Sequence, residues 1–210
     1  MPRSTRSTDC PSSDAPAPPA FDVVAIAASA GGLTSLSSIV AALPCDFPAA
    51  VLIVQHLDPR HRSLMAEILG RRTPCRVQEA ADGQPILAGG IYVAPPDRHL
   101  LVTPHRAVSL TETELVHFVR PSADLLFESG AATYRERAIA VVVSGTGQDG
   151  AMGVRAVKNT GGTVIVEDES TATFFGMPGA AVQTGCVDFA LPIAEIGPAL
   201  VTLVMKGEVE

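Results

Sequence analysis

Four short apolar runs separated by stretches of helical spacing constrain this chain more than any other feature. Val23-Val24-Ala25-Ile26, Ala50 to Val54, Ala138 to Val143 and Thr163 to Val166 are nearly unbroken in their apolar character. Such runs mark strands buried on both faces. After the first, apolar residues recur at Leu33, Leu36, Ile39, Val40 and Leu43 until Pro44 stops the pattern. A second helix carries Leu64, Met65, Ile68 and Leu69, following a turn at Asp58-Pro59. Further helices are expected over Ser122–Tyr134, Ala151–Lys158 and Gly179–Gln183, then a strand at Val187–Leu191 and a last helix from Ile193. Strands alternating with helices predict an α/β fold, a doubly wound and mostly parallel sheet with helices on both faces.

The middle of the chain breaks this rhythm. Segments near Val77, Ile91-Tyr92-Val93, His99 to Val102 and Val108 to Leu110 are short and separated by Gly and Pro. They read as a small antiparallel excursion from the main sheet. Residues 1–20 are Ser, Pro and Ala with almost no large apolar side chains, too little to offset the entropy of ordering them. They are expected to form a disordered tail, leaving residues 21–210 as one domain. No apolar stretch follows Arg3 and Arg6 as a secretory signal requires, and no run is long enough to span a bilayer.

Net charge is −7, and no basic cluster is long enough to follow a phosphate backbone, so nucleic acid is not an expected partner. The four cysteines, Cys10, Cys45, Cys75 and Cys186, lie far apart without a C-x-x-C pair. That spacing argues against a zinc site and fits a reducing cytoplasm. Neither a metal nor a cofactor is expected.

In a parallel sheet, ligands bind beyond the carboxyl ends of the strands, and three such ends carry reactive side chains. Ser29 follows the first strand within Ala27-Ala28-Ser29-Ala30-Gly31-Gly32, directly before a helix. Small neighbours permit a sharp turn, and a helix N-terminus favours an oxyanion beside the hydroxyl. An N-cap or turn serine fits the same local sequence. His56 follows the second strand in Gln55-His56-Leu57, where an imidazole suits general-base work, although a hydrogen-bonded loop histidine would look the same. Asp149 follows the Ala138–Val143 strand within Gly145-Thr146-Gly147-Gln148-Asp149-Gly150. It could steady an imidazolium, or merely start a helix. What favours the catalytic reading is the coincidence of Ser, His and Asp at the ends of three different buried strands. His61, His99, His105 and His117 fall in loops, the middle excursion or a polar turn and are assigned no catalytic role.

The same loop is a literal G-x-G-x-x-G between strand and helix, with Glu167, Asp168 and Glu169 about twenty residues on, as in a Rossmann fingerprint. Against a dinucleotide, Asp149 would set a negative charge where pyrophosphate should sit.

Taken together, Ala28-Ser29-Ala30-Gly31-Gly32, Gln55-His56, Arg120-Pro121-Ser122-Ala123-Asp124, Gly145 to Gly150 and Phe175-Gly176-Met177-Pro178 resemble the catalytic domain of CheB-type chemotaxis protein-glutamate methylesterases. The resemblance runs from Val23 to about Leu203. It implies a cytoplasmic serine hydrolase with Ser29 as nucleophile, His56 as base and Asp149 orienting the histidine. The implied substrate is a glutamate methyl ester on a chemoreceptor cytoplasmic helix, with methanol released, and receptor glutamines fall within the same acyl chemistry. Amides at Ala30, Thr146 and Gly147 are the implied oxyanion and substrate-binding donors.

Three residues depart from the pattern. Ala30 stands where a Thr is usual, Thr146 where a Met is common, and Ala27 where a Gly is usual, so the backbone donors remain but one hydroxyl is lost. Members usually carry an N-terminal phosphorylated receiver domain. With only the short tail before Phe21, the expectation is a stand-alone esterase. A catalytically silent module that binds receptor arrays is the further alternative.

Overall fold

The computed structural model describes residues 19–57, 60 and 63–206. The expected tail, apart from its last two residues, lies outside them, as do the Asp58-Pro59 turn and His61. Seven strands form one parallel sheet. β1 (Val23–Ala28), β2 (Ala50–Gln55), β3 (Arg76–Glu79), β4 (Gly90–Val93), β7 (Ala138–Val142), β8 (Thr163–Glu167) and β9 (Phe189–Leu191) pair in the order β3-β4-β2-β1-β7-β8-β9. Every pair is parallel. From β1 the chain winds first toward β3, then returns to build outward through β7, β8 and β9. The point where the winding reverses lies between β1 and β7, the place where open parallel sheets leave a crevice.

The antiparallel excursion is smaller than the sequence predicts. Only β5 (His99–Val102) and β6 (Val108–Thr111) form it, as a separate two-stranded sheet. The segments at Val77 and Ile91–Val93 instead join the main sheet in parallel, as β3 and β4. The cause is visible at β4. Ile91, Tyr92 and Val93 are all buried, as a strand between two others must be, and short strands bounded by Gly and Pro carry no signal of direction.

Alternate residues of β1 feed two separate cores. Val24, Ile26 and Ala28 pack with Leu36, Ile39 and Val40 of α1 (Gly32–Ala42), with Met65 and Leu69 of α2 (Met65–Gly70), and with Ile196 and Leu200 of α6 (Ile193–Lys206). Val23, Ala25 and Ala27 face α3 (Ala123–Tyr134), α4 (Ala151–Asn159) and α5 (Gly176–Gln183) through Leu126, Phe127, Val154, Val157 and Met177. The β5–β6 hairpin lies on that same side and contributes Leu100, Val102 and Val108. Helices thus cover both faces, and the doubly wound α/β architecture expected from the sequence is the one observed. No helix among the described residues is long and apolar enough to cross a membrane.

Candidate active site

Strand register brings the first two candidate residues together. Ala28 pairs with Gln55, and the amide of His56 donates to the Ala28 carbonyl at 3.0 Å. Ser29 and His56 are therefore each the next residue beyond a paired position on adjacent strands. The buried Gln55 side chain spans the two ends, its Nε2 donating to the carbonyls of Ser29 at 2.8 Å and His56 at 3.0 Å. On the other flank, the Ser29 amide donates to the Ser144 carbonyl at 3.0 Å, just past β7.

Ser29 does not cap a helix. Gly31 occupies the cap position of α1, with φ of 78°. An added Cβ at Gly31 would lie 2.6 Å from Ser144 Oγ, so close packing as well as conformation calls for glycine there. Ser144 holds this turn in place. Its Oγ donates to the Ala30 carbonyl at 2.8 Å and accepts from the Phe174 amide at 3.0 Å. Its own amide donates to Glu167 Oε2 at 2.9 Å.

Asp149 is buried, and its Oδ2 lies 2.8 Å from His56 Nε2. It does not start α4, since Gly150 holds that cap position. Its carboxylate turns across to the N-terminus of α3, where it accepts from Ser122 Oγ at 2.8 Å, from the Ala123 amide at 2.6 Å and from the Asp124 amide at 3.2 Å. A helix N-terminus leaves such amides without intrahelical acceptors, and an anion placed there is favoured. Burial pushes the Asp149 carboxyl up. The bond and the charge of His56, with the Ala123 and Ser122 donors, outweigh burial and hold it below the usual aspartate range.

The residues around Asp149 are those that sequence reasoning left without a role. Ser122 precedes a helix, as a cap serine does, but its hydroxyl serves Asp149 and not its own helix. His99, also assigned nothing, is fully buried. Its Nδ1 accepts from the Ser122 amide at 3.1 Å and its Nε2 bonds the Glu114 carbonyl at 3.0 Å, which fixes the entry to α3. The only available signal was the Arg120–Asp124 segment, and nothing in its spacing pointed toward residue 149.

The glycine loop runs beside Ser29. An added Cβ at Gly145 would stand 2.9 Å from Ser29 Cβ and 2.3 Å from Met177 Sδ. Thr146 and Gly147 are exposed there, and Ala30 is half-buried on the facing turn. Among the described residues, the amides of Ala30, Thr146 and Gly147 donate to no protein acceptor, whereas those of Ser29 and Gly145 are used within the fold. Beyond Gly147 opens a groove of about 730 Å³, lined by the apolar Phe118, Phe175 and Val182 together with the polar His117, Gln148 and Gln183.

The loop is poorly suited to a dinucleotide. Gly176 closes over it, since an added Cβ there would be 3.0 Å from both the Gly145 carbonyl and the Gly147 amide. Of the three acids that follow, Glu167 is buried and bound to Ser35 Oγ and the Ser144 amide, each at 2.9 Å, whereas Asp168 is half-buried and Glu169 exposed.

Comparison with known proteins gives the same answer. A family model described as CheB methylesterase matches residues 24–200. A Caulobacter vibrioides protein named protein-glutamate methylesterase/protein-glutamine glutaminase 2 is 38% identical, over 92% of this chain and 56% of its own. A Moorella thermoacetica protein-glutamate methylesterase/protein-glutamine glutaminase is 40% identical, over 89% of this chain and 45% of its own. The chain thus spans about half the length of these curated relatives. A Leptospira interrogans relative at 34% identity is covered over 95% of its length. The crystal structure of the Thermotoga maritima CheB methylesterase catalytic domain matches with a TM-score of 0.85 and 36% identity, over 88% of this chain and 99% of that one. With the family model spanning most of the chain and both sequence and fold matching, the chain belongs to the CheB methylesterase family.

Proposed function

We propose that the chain is a cytoplasmic serine hydrolase that cleaves methyl esters of glutamate side chains on chemoreceptor cytoplasmic helices. Ser29 is the nucleophile, His56 the general base and Asp149 the group that orients the imidazole. The observation that carries this reading is the 2.8 Å contact between His56 Nε2 and Asp149 Oδ2, on a histidine whose backbone is bonded to the residue preceding Ser29. With Nε2 engaged by the carboxylate, in this reading the proton is assigned to that nitrogen, leaving the Nδ1 lone pair to take the Ser29 proton.

The chemistry then runs in two halves. Ser29 Oγ adds to the ester carbonyl as its proton passes to His56, and the carbonyl π electrons move onto oxygen. Collapse of that oxyanion breaks the bond to methoxide, which takes the proton from His56 and departs as methanol. Water then adds to the glutamyl-serine ester, giving up a proton to His56. The Ser29 oxygen leaves, reclaims that proton, and the glutamate carboxyl is released. Asp149 stays ionised throughout and stabilises the imidazolium in each half. The amides of Ala30, Thr146 and Gly147 supply the oxyanion donors, each worth about 3 kcal/mol in the barrier. A glutamine side chain enters the same sequence with ammonia as the leaving group.

The substrate is attached to a protein helix, and the groove beyond Gly147 offers apolar and polar side chains to the segment flanking the reacting side chain. The test is methanol release from methyl-esterified receptor membranes by the purified chain and by Ser29→Ala. Release well above the Ser29→Ala rate supports the hydrolase. Equal rates together with retained binding to the membranes would favour a silent receptor-binding module.

A further inference from the structure

The N-termini of α3 and α4 are capped by carboxylates exchanged between them. Asp149, at the entry to α4, accepts from the Ala123 and Asp124 amides of α3. In return Asp124 Oδ1, in the first turn of α3, accepts from the Gly153 amide of α4 at 2.7 Å. The circuit is closed: Asp149 leads through Gly150 into α4, Gly153 binds Asp124, and the first amides of α3 return to Asp149. The two helices are pressed together at this point, since an added Cβ at Gly153 would lie 2.5 Å from Phe127 Cβ and 3.1 Å from Asp124 Cα. Asp124 is 3% exposed, and its second oxygen meets His117 Nε2 at 3.1 Å.

Two buried aspartates beside one another are costly, because each opposes the ionisation of its neighbour. Burial first, and then the charge of Asp149, raise the Asp124 carboxyl above its usual range in spite of the Gly153 and His117 contacts. An apolar residue or an asparagine would avoid that cost, but an apolar residue would also leave the Gly153 amide without an acceptor. What the position requires is an acceptor for that amide.

We infer that Asp124 is a positioning residue for the site. By binding the Gly153 amide it locks α4 against α3, and so fixes the Asp149 carboxylate at hydrogen-bond distance from His56. The role rests on the reading of Ser29, His56 and Asp149 as a hydrolytic unit, and touches no substrate itself. A misplacement of about 1 Å in such a unit costs on the order of a hundredfold in rate.

The test compares Asp124→Ala, which deletes the acceptor, with Asp124→Asn, which keeps it without the charge. Leu203→Ala serves as a control, a buried position on the opposite face of the sheet. With a synthetic peptide carrying a glutamate γ-methyl ester, Asp124→Ala should lower kcat by about ten- to a hundredfold at nearly constant KM. Asp124→Asn should stay within about threefold of wild type. In parallel, the downfield proton resonance of the His56–Asp149 hydrogen bond should persist in Asp124→Asn and broaden or shift in Asp124→Ala. That signal reports the geometry whether or not the peptide is a substrate, so it separates failure of this inference from failure of the esterase reading. Unchanged kcat and resonance in a folded Asp124→Ala would overturn the role, as would an equal kcat loss in Leu203→Ala. If Asp124→Ala does not fold, the wild type decides: the Gly153 amide should exchange with solvent as slowly as mid-helix amides of α4. Free exchange, normal for a first helical turn, would refute the lock.

Discussion

His56 and Asp149 meet through one contact of 2.8 Å, while three further donors at the start of α3 hold the same carboxylate from behind. The carboxylate is thus fixed before the imidazole reaches it. In the proposed mechanism Asp149→Asn loses both charge and geometry, because one amide oxygen cannot accept from four donors. Ser29→Ala and His56→Ala are expected to lower kcat by about a million-fold, and Asp149→Asn by about ten-thousand-fold. Methanol release checks this, with circular dichroism as the control for folding. Wild-type rates in all three variants would remove these residues from the mechanism.

Acid should weaken the fold through Asp149 and Asp22. Both carboxyls lie below the ordinary aspartate value of 3.8 in the folded chain, Asp22 chiefly through its bond with Arg137 and Asp149 through the donors that overcome its burial. A group with a depressed native pKa binds fewer protons folded than unfolded. Its contribution is complete above the unfolded value and is lost as pH falls through the lower native one. Asp124 has the opposite sign, its ionisation opposing the fold as pH rises past the ordinary value. Melting temperature followed from about pH 5 to pH 2 should therefore fall less steeply in Asp22→Asn than in wild type. A parallel slope would contradict the assignment.

The architecture was legible because β1, β2, β7 and β8 are buried on both faces and announce it by unbroken apolar runs. The edges were not. β3 exposes Arg76 and Glu79, and its direction is fixed only by pairing with β4, which no local signal encodes. Ser29 and His56 could be nominated as candidates because each directly follows a central strand, and Asp149 because it lies in the loop after a third. Their support was hidden because it is tertiary. Asp124 reads as an ordinary first-turn acid and His99 as a polar residue in a hairpin, yet one is bound to the Gly153 amide and the other to the Ser122 amide. Gly145 to Gly150 fits a dinucleotide pattern by spacing alone because glycine spacing records that a loop turns tightly, not what it turns around.

Arg137 anchors the entrance to β1. Its Nε and a terminal nitrogen bind both oxygens of Asp22, at 2.9 and 2.6 Å, and the same terminal nitrogen reaches the Pro19 carbonyl at 2.6 Å. The pair is partly exposed, so solvent screening limits its worth. Arg137→Ala is expected to cost about 1 kcal/mol in urea unfolding, less in high salt, with kcat unchanged. A loss that salt does not diminish would mean packing, not charge, holds this corner.

Two glycines in neighbouring helices should respond in opposite ways to the same methyl group. By helix propensity alone, Gly→Ala gains about 1 kcal/mol anywhere in a helix interior. Gly130 of α3 has nothing within 4 Å of an added Cβ, so Gly130→Ala should realise most of that gain. At Gly153 of α4 the methyl group would press on Phe127 Cβ at 2.5 Å and on the Asp124 backbone at 3.1 Å. Overpacking of that kind costs about 1–3 kcal/mol, which exceeds the propensity gain. It would also push the two helices apart where Asp124 binds the Gly153 amide. Gly153→Ala is therefore expected to lower both melting temperature and kcat, and Gly130→Ala to raise the first and leave the second unchanged. Thermal melts and ester turnover of the two variants, run side by side, decide it. A stabilised, fully active Gly153→Ala would mean the contact between α3 and α4 is looser than described, and that Asp149 needs no such brace.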